Sequence, residues 1–88
     1  MSNIKFLPEA WAEYLYWQSQ DRKILKKINK ILNDISRNPY DGIGKPEQLK
    51  GILTGWWSRR IDSENRIVYQ VPDEENIEIA QCKGHYNG

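Results

Sequence analysis

One cysteine, one histidine, one methionine and one phenylalanine occur in 88 residues, and each scarcity closes off a class of protein. A lone Cys82 cannot build an internal disulfide framework, so cysteine usage fits a reducing cytosol. One His and one Cys fall short of the four ligands a structural zinc site usually takes, and neither metal nor cofactor is expected. No segment approaches the ~20 apolar residues of a membrane span. The opening stretch, Met1 to Pro8, lacks the basic flank and apolar run of a signal peptide. Internal repeats, low-complexity tracts and linkers are missing too, which leaves a single domain over residues 1–88 in a cytoplasmic protein without a membrane partner. No glycine pattern matches a phosphate-binding loop.

What the chain does have is aromatic bulk and unevenly placed charge. Four Trp and five Tyr offset the thin core of a small domain, since each ring buries ~150–250 Å². Residues 22–66 carry eleven Lys/Arg against five Asp/Glu, a net of +6, while the remainder carries two against seven, a net of −5. That asymmetry fits a basic surface facing an anionic partner, and equally a solvated helix face balanced by acidic loops.

Ile4 to Leu7 reads as a short first strand, and Pro8 suits the first turn of a helix, where a missing N–H costs nothing. Trp11, Tyr14, Leu15 and Gln18 follow at helical spacing as a narrow aromatic stripe. Asp21 then offers an N-cap or a first-turn acid for a second helix whose buried face is Ile24, Ile28, Ile31, Leu32 and Ile35, with Lys23, Lys26, Lys27 and Lys30 largely outside it. Asn38-Pro39 stops that helix. Residues 39–51 form a loop dense in Gly and Pro, long for so small a domain. Three strand-like runs come next, Trp56 to Ile61, Arg66 to Val71 and Ile77 to about Lys83, separated by polar turns as in an antiparallel meander. The expected class is α+β, two N-terminal helices on one face of a small antiparallel sheet.

In a meander the third strand finishes beside the start of the second. His85 and Tyr86 therefore come to the end of the sheet where Arg66 stands, with Arg59 and Arg60 approaching the same end. Taken singly, each of these residues has a plainer role: a surface His, an edge Arg paired with Glu64 or Asp62, a solvated Glu47 in the loop. Tyr69 and the Trp residues read mainly as core, with Trp56 or Trp57 able to stack on a base if exposed. Lys50, Arg59 and Arg60 read as phosphate contacts or surface charges with similar weight. Together they offer one group per task for cutting RNA without metal: a base for the 2′-OH, a cation for the phosphorane-like transition state, and an acid for the leaving 5′-oxygen.

Several ordered strings then resemble one known family. Gly44-Lys45-Pro46-Glu47-Gln48-Leu49-Lys50, Gly55-Trp56-Trp57-Ser58-Arg59-Arg60-Ile61, Glu64-Asn65-Arg66-Ile67-Val68-Tyr69 and the final His85-Tyr86 are similar to the YoeB toxins of the RelE/ParE superfamily, and the resemblance spans nearly the whole chain. It implies a microbial-ribonuclease-like fold and a ribosome-dependent endoribonuclease that cuts mRNA in the A site, so inhibiting translation as the toxin of a type II toxin–antitoxin system. It implies Glu47 as general base, Arg66 as phosphate stabiliser, His85 as general acid and Tyr86 as an orienting or stacking residue, with Lys50, Arg59 and Arg60 contacting RNA. It also implies a partly disordered cognate antitoxin as partner, and often a homodimer. Two departures stand out: Asn87-Gly88 follow the His-Tyr pair, and Gly84 replaces a bulkier residue before it, which is expected to loosen the tail. A non-enzymatic gyrase inhibitor of the ParE branch and a plain RNA-binding module remain as the other readings.

Overall fold

The structure, a computed structural model, describes residues 2–85. Its elements run β1 (Asn3–Phe6), α1 (Pro8–Gln20), α2 (Arg22–Arg37), β2 (Glu47–Gln48), a 3-10 turn (Gly51–Leu53), β3 (Trp57–Arg60), β4 (Arg66–Asp73) and β5 (Asn76–Gln81). Among the described residues no helix is long and apolar enough to cross a membrane.

Both helices start and stop for local reasons. Pro8 opens α1. The Asp21 carboxylate accepts the amide N–H of Lys23 and Ile24, satisfying donors that the first turn of α2 leaves orphaned. Asn38 ends that helix with Pro39 next, as the restriction on a residue before proline requires. Ile28, Ile31, Leu32 and Ile35 of α2 are buried with Ile24 half-buried beside them, and Lys23, Lys26, Lys27 and Lys30 are exposed. The face of α1 departs from expectation. Ala10 and Trp17 are the buried residues, while Trp11 and Leu15 are 48% and 44% exposed. The tight contact is made by the small Ala10, which accepts from the Cys82 thiol through its carbonyl, and by Trp17, whose indole N–H donates to the Cys82 carbonyl at 2.9 Å. Trp11 is left to stack on Tyr14 and meet Phe6 edge-on.

The sheet has five strands in the order β1-β5-β4-β3-β2. The meander β3-β4-β5 is antiparallel as expected, but the sheet is mixed: β1 pairs parallel with β5, from Asn3↔Asn76 to Phe6↔Ile79. The α1–α2 pair carries the chain from β1 at one edge to β2 at the other, and the meander then returns β5 to the side of β1. A second addition is β2, two residues within the Gly/Pro-rich loop that pair with β3 as Glu47↔Ser58 and Gln48↔Trp57. Two residues are too few to show a period-two pattern in sequence.

Side chains alternate across the sheet. Ile61, Ile67, Tyr69, Ile77 and Ile79 face the helices and join Ile28, Ile31 and Ile35 in one core. Trp57 is half-buried, packs against that core as expected of the Trp residues, and lies 5.1 Å from the Tyr40 ring.

Arg59 shares this inner face, opposite Ile67, and is fully buried. Its Nη1 reaches Asp34 Oδ2 at 2.5 Å and the Ile43 carbonyl at 3.1 Å. Its Nη2 donates to the carbonyls of Asn38 and, at 2.9 Å, Asp41, and its Nε to the Tyr69 hydroxyl at 3.2 Å. The Tyr69 hydroxyl in turn donates to the Pro39 carbonyl at 2.7 Å. Arg59 was expected among the RNA contacts; instead it ties the loop after α2 to the sheet, because strand alternation sends it inward and Arg60 outward. Removing one partner of a buried ion pair costs about 3–5 kcal/mol. Arg59→Ala is expected to lower the unfolding free energy by that order. Arg59→Lys should lose most of it, since one ammonium cannot replace a fork that reaches acceptors on a helix, a loop and a strand. Denaturant titration checks both, and undiminished stability in Arg59→Lys would contradict this role.

Candidate active site

The outer face of the sheet carries the residues of interest. Cross-strand pairs share a face, so Glu47, Ser58 and Val68 form one row, and Arg60 and Arg66 form the next, two residues along β3. Glu47 and Arg66 therefore lie on the same face with one strand between them. Strand spacing of about 4.8 Å and a rise of about 3.3 Å per residue put their Cα atoms roughly 12 Å apart.

Glu47 is exposed, and its strand exists because the preceding loop is held down at both ends. The loop is fixed first by Arg59 and by Asp34, whose carboxylate also accepts the Ile43 amide at 3.0 Å. Then the Gly44 carbonyl accepts from the Arg60 amide at 2.6 Å. Gly44 has φ +81°, and a Cβ there would stand 2.9 Å from the Arg60 carbonyl oxygen, so the approach that lays β2 along β3 needs glycine. Lys50 is exposed just beyond β2, and Arg60 is exposed beside Arg66.

Arg66 is nearly buried at 8% exposure. Its Nη1 donates to the main-chain carbonyls of Asp62 at 2.6 Å and Asn65 at 3.1 Å, which fixes the plane of the guanidinium. The carboxylates of Asp62 and Glu64, weighed as its partners from sequence, are not the acceptors in these bonds. The Asp62 carboxylate caps its own turn, accepting from the amides of Glu64 and Asn65 and from the Asn65 side chain. Burial alone would raise the Asp62 pKa, but these donors and the nearby Arg66 outweigh it and hold it below the usual range.

The end of the chain approaches Arg66 as the meander requires. The Gly84 carbonyl accepts from the Arg66 amide at 3.0 Å and from the Gln81 side chain at 3.0 Å, and the Gly84 amide donates to Asn65 Oδ1 at 2.7 Å. His85 follows directly and is exposed. Gly84 was expected to loosen this segment; its φ of +76° suits glycine, and both its main-chain polar groups are bonded. Tyr86 lies outside the described residues. From the inner side Glu13 accepts the Cys82 amide at 2.8 Å. Burial pushes the Glu13 carboxyl upward and, together with Glu13, pushes the Cys82 thiol up to about 12, leaving it protonated and inert at neutral pH. Sequence reasoning passed over Asn65 and Glu13. Asn65 was readable in outline, since Asp-x-x-Asn is a turn-capping spacing, whereas nothing local tied Glu13 to Cys82.

Comparison with known proteins settles the family. Residues 6–86 match the family described as YoeB-like toxin of bacterial type II toxin-antitoxin system. The chain belongs to the YoeB toxins. It is 54% identical to Toxin YoeB of Escherichia coli O6:H1 over 78 residues, covering 89% of this chain and 92% of that one. The YoeB dimer from Staphylococcus aureus superposes with a TM-score of 0.89 at 53% identity, over 97% of this chain and 98% of that one. The toxin in the heterotetrameric YoeB–YefM toxin–antitoxin complex from the same organism superposes at 0.88, again at 53% identity, over 98% and 99%. The α+β fold is that of YoeB, mixed sheet included.

The depressed Asp62 carboxyl gives the YoeB frame around Arg66 a pH dependence of known sign. A carboxyl held lower in the folded chain than in the unfolded one, where its pKa is about 3.9, adds stability above that value and loses it on acidification through the folded pKa. Asp34, held low first by its hydrogen bond to Arg59, acts in the same direction. Stability is expected to fall as the pH drops below about 4, and Asp62→Asn should flatten that acid limb in unfolding curves taken at stepped pH. An unchanged limb would remove Asp62 from the account.

Proposed function

We propose that the chain is a metal-independent endoribonuclease that cuts mRNA in the ribosomal A site and so stops translation. The observation that supports this most is the register: a carboxylate and a guanidinium stand on one sheet face with a strand between them, and the imidazole follows the peptide bonded to the guanidinium's own residue. The span leaves room for a ribose–phosphate between the two headgroups.

In this reading Glu47 removes the proton from the 2′-OH. The 2′-oxygen attacks the adjacent phosphorus, and Arg66 neutralises charge on the non-bridging oxygens, for which its forked, permanently charged guanidinium is suited. The bond from phosphorus to the 5′-oxygen breaks as His85 delivers a proton to that oxygen. The products are a 2′,3′-cyclic phosphate and a 5′-OH. Tyr86 orients the substrate or stacks on a base. Lys50 and Arg60 contact the RNA backbone; Arg59 is removed from that set because its guanidinium is buried among protein acceptors.

The partners in this reading are mRNA, the ribosome, a cognate antitoxin with a partly disordered segment, and a second copy of the chain, with the cytoplasm as the setting. The solved YoeB–YefM complex and YoeB dimer support the last two. The net charge of +6 over residues 22–66 suits an acidic antitoxin segment that folds on binding.

Primer extension on messages from translating extracts is the test. Glu47→Ala and His85→Ala are each expected to reduce cleavage by about 10²–10⁴-fold, the usual worth of a positioned base or acid. Arg66→Ala should reduce it by at least about 10²-fold through lost charge stabilisation. New message ends at wild-type abundance in all three variants, with folding intact, would reject the assignment.

A further inference from the structure

The turn between β3 and β4 supplies more than a connection, and the inference drawn from it rests on the reading of His85 as general acid. Asn65 is 8% exposed, and its side-chain amide stands between two groups of opposite demand. On one side is the Gly84 N–H, a donor that needs an acceptor and finds Asn65 Oδ1 at 2.7 Å. On the other is the Asp62 carboxylate, an acceptor that needs a donor and finds Asn65 Nδ2 at 3.1 and 3.2 Å. Those partners fix which end of the amide points to Gly84. An aspartate here would set carboxylate against carboxylate, and an apolar residue would leave Gly84 N–H without this acceptor.

The next residue completes the grip. The Arg66 amide donates to the Gly84 carbonyl, so the two main-chain polar groups of Gly84 are caught by consecutive residues at the head of β4. The Cα of His85 is one peptide away, about 3.8 Å from that of Gly84. The guanidinium of Arg66 is fixed from the same turn, through the carbonyls of Asp62 and Asn65. We propose that Asn65, oriented by Asp62, is the positioning residue that sets His85 relative to Arg66, holding the proton donor at the distance the leaving oxygen requires. Asn65 touches no reacting atom in this scheme; it acts through Gly84.

The test compares the natural linkage with one in which the 5′-bridging oxygen is replaced by sulfur. A thiolate leaves without protonation, so loss of an acid is masked on that substrate while loss of a base is not. Programmed ribosomes carry a synthetic mRNA with either linkage at the position the wild-type protein cuts. Asn65→Ala is expected to lower kcat by about 10–100-fold on the natural linkage, in keeping with the cost of a displacement near 1 Å, with KM little changed. On the sulfur linkage the deficits of Asn65→Ala and His85→Ala should shrink together, while that of Glu47→Ala persists. Rescue of His85→Ala without rescue of Asn65→Ala, or full activity of Asn65→Ala on the natural linkage, overturns the positioning role and leaves the acid assignment standing. Failure of sulfur to rescue His85→Ala removes the acid assignment and this inference with it.

A pair of isosteric variants guards against a misfolded alanine variant. Asn65→Asp is expected to lose cleavage on the natural linkage, because two carboxylates meet. The double variant Asp62→Asn/Asn65→Asp exchanges donor and acceptor while keeping an acceptor for Gly84 N–H, and should recover most of the wild-type rate. A double variant no better than Asn65→Asp alone overturns the proposal.

Discussion

The site depends on a guanidinium that cannot itself meet solvent. Arg59 lies under the loop after α2 and offers its donors to Asp34, Asn38, Asp41, Ile43 and Tyr69, which together bring a helix, a loop and two strands to one point. A segment rich in glycine and proline has little apolar surface to bury, so main-chain acceptors are what remain to hold it. A buried cation meets them all at once, and its own desolvation is offset only because each direction of the fork finds oxygen. With residues 38–43 fixed, Gly44 can close on Arg60 and Glu47 can pair with Ser58 at the sheet edge. Without that anchor the carboxylate would sit on an untethered loop.

The opposite end of the site is held by the same kind of bond. The segment from Cys82 to Gly84 is gripped through its backbone: Glu13 and Trp17 take the two polar groups of Cys82 from the helix side, and Asn65 and Arg66 take those of Gly84 from the strand side. Side chains that grip a backbone place few demands on what the gripped residues are. The two residues proposed for proton transfer, Glu47 and His85, are exposed, while Asn65 and Arg59, which hold the segments that carry them, are buried. Exposed groups held by anchors in the interior let a small domain present a precise surface without a large core.

Much of this was legible in the chain. The amphipathic α2, its Asp21 cap and its stop at Asn38-Pro39 follow from periodicity and capping, and the meander brings His85 to Arg66 by connectivity alone. The sheet neighbour of β5 was not legible, because β1 pairs with the last strand of the meander, far from it in sequence, and no local pattern carries that. Nor was β2, whose pairing depends on a distant arginine. Arg59 is the instructive case. Trp57, Arg59 and Ile61 share one parity, and Ser58 shares the other with Arg60, so alternation alone predicted opposite fates for the two arginines. A pair of adjacent basic residues is readily taken as one patch; in a strand it is divided between two faces. The face of α1 differs in phase: Trp11, Tyr14, Leu15 and Gln18 mark a stripe by spacing, whereas the contacts with Cys82 fall one position back, on Ala10, Glu13 and Trp17.

The same division governs the charge of +6 over residues 22–66. Lys23, Lys26, Lys27 and Lys30 lie on the solvent side of α2, whose isoleucine face rests on the inner side of the sheet, so they project away from Glu47 and Arg66. Arg59 is enclosed with Asp34 and adds nothing to the outer field at close range. The site face draws instead on Arg60, Arg66 and the nearby Lys50. The basic segment is thus two surfaces on opposite sides of a two-layered order of helices and sheet, and its summed charge points to neither. What singles out the outer face is register, which sets a carboxylate and a guanidinium on one side of three strands, with the segment that carries the imidazole bonded to the guanidinium's own residue. Charge can draw an anionic partner toward the molecule, but strand pairing decides where chemistry on it can happen.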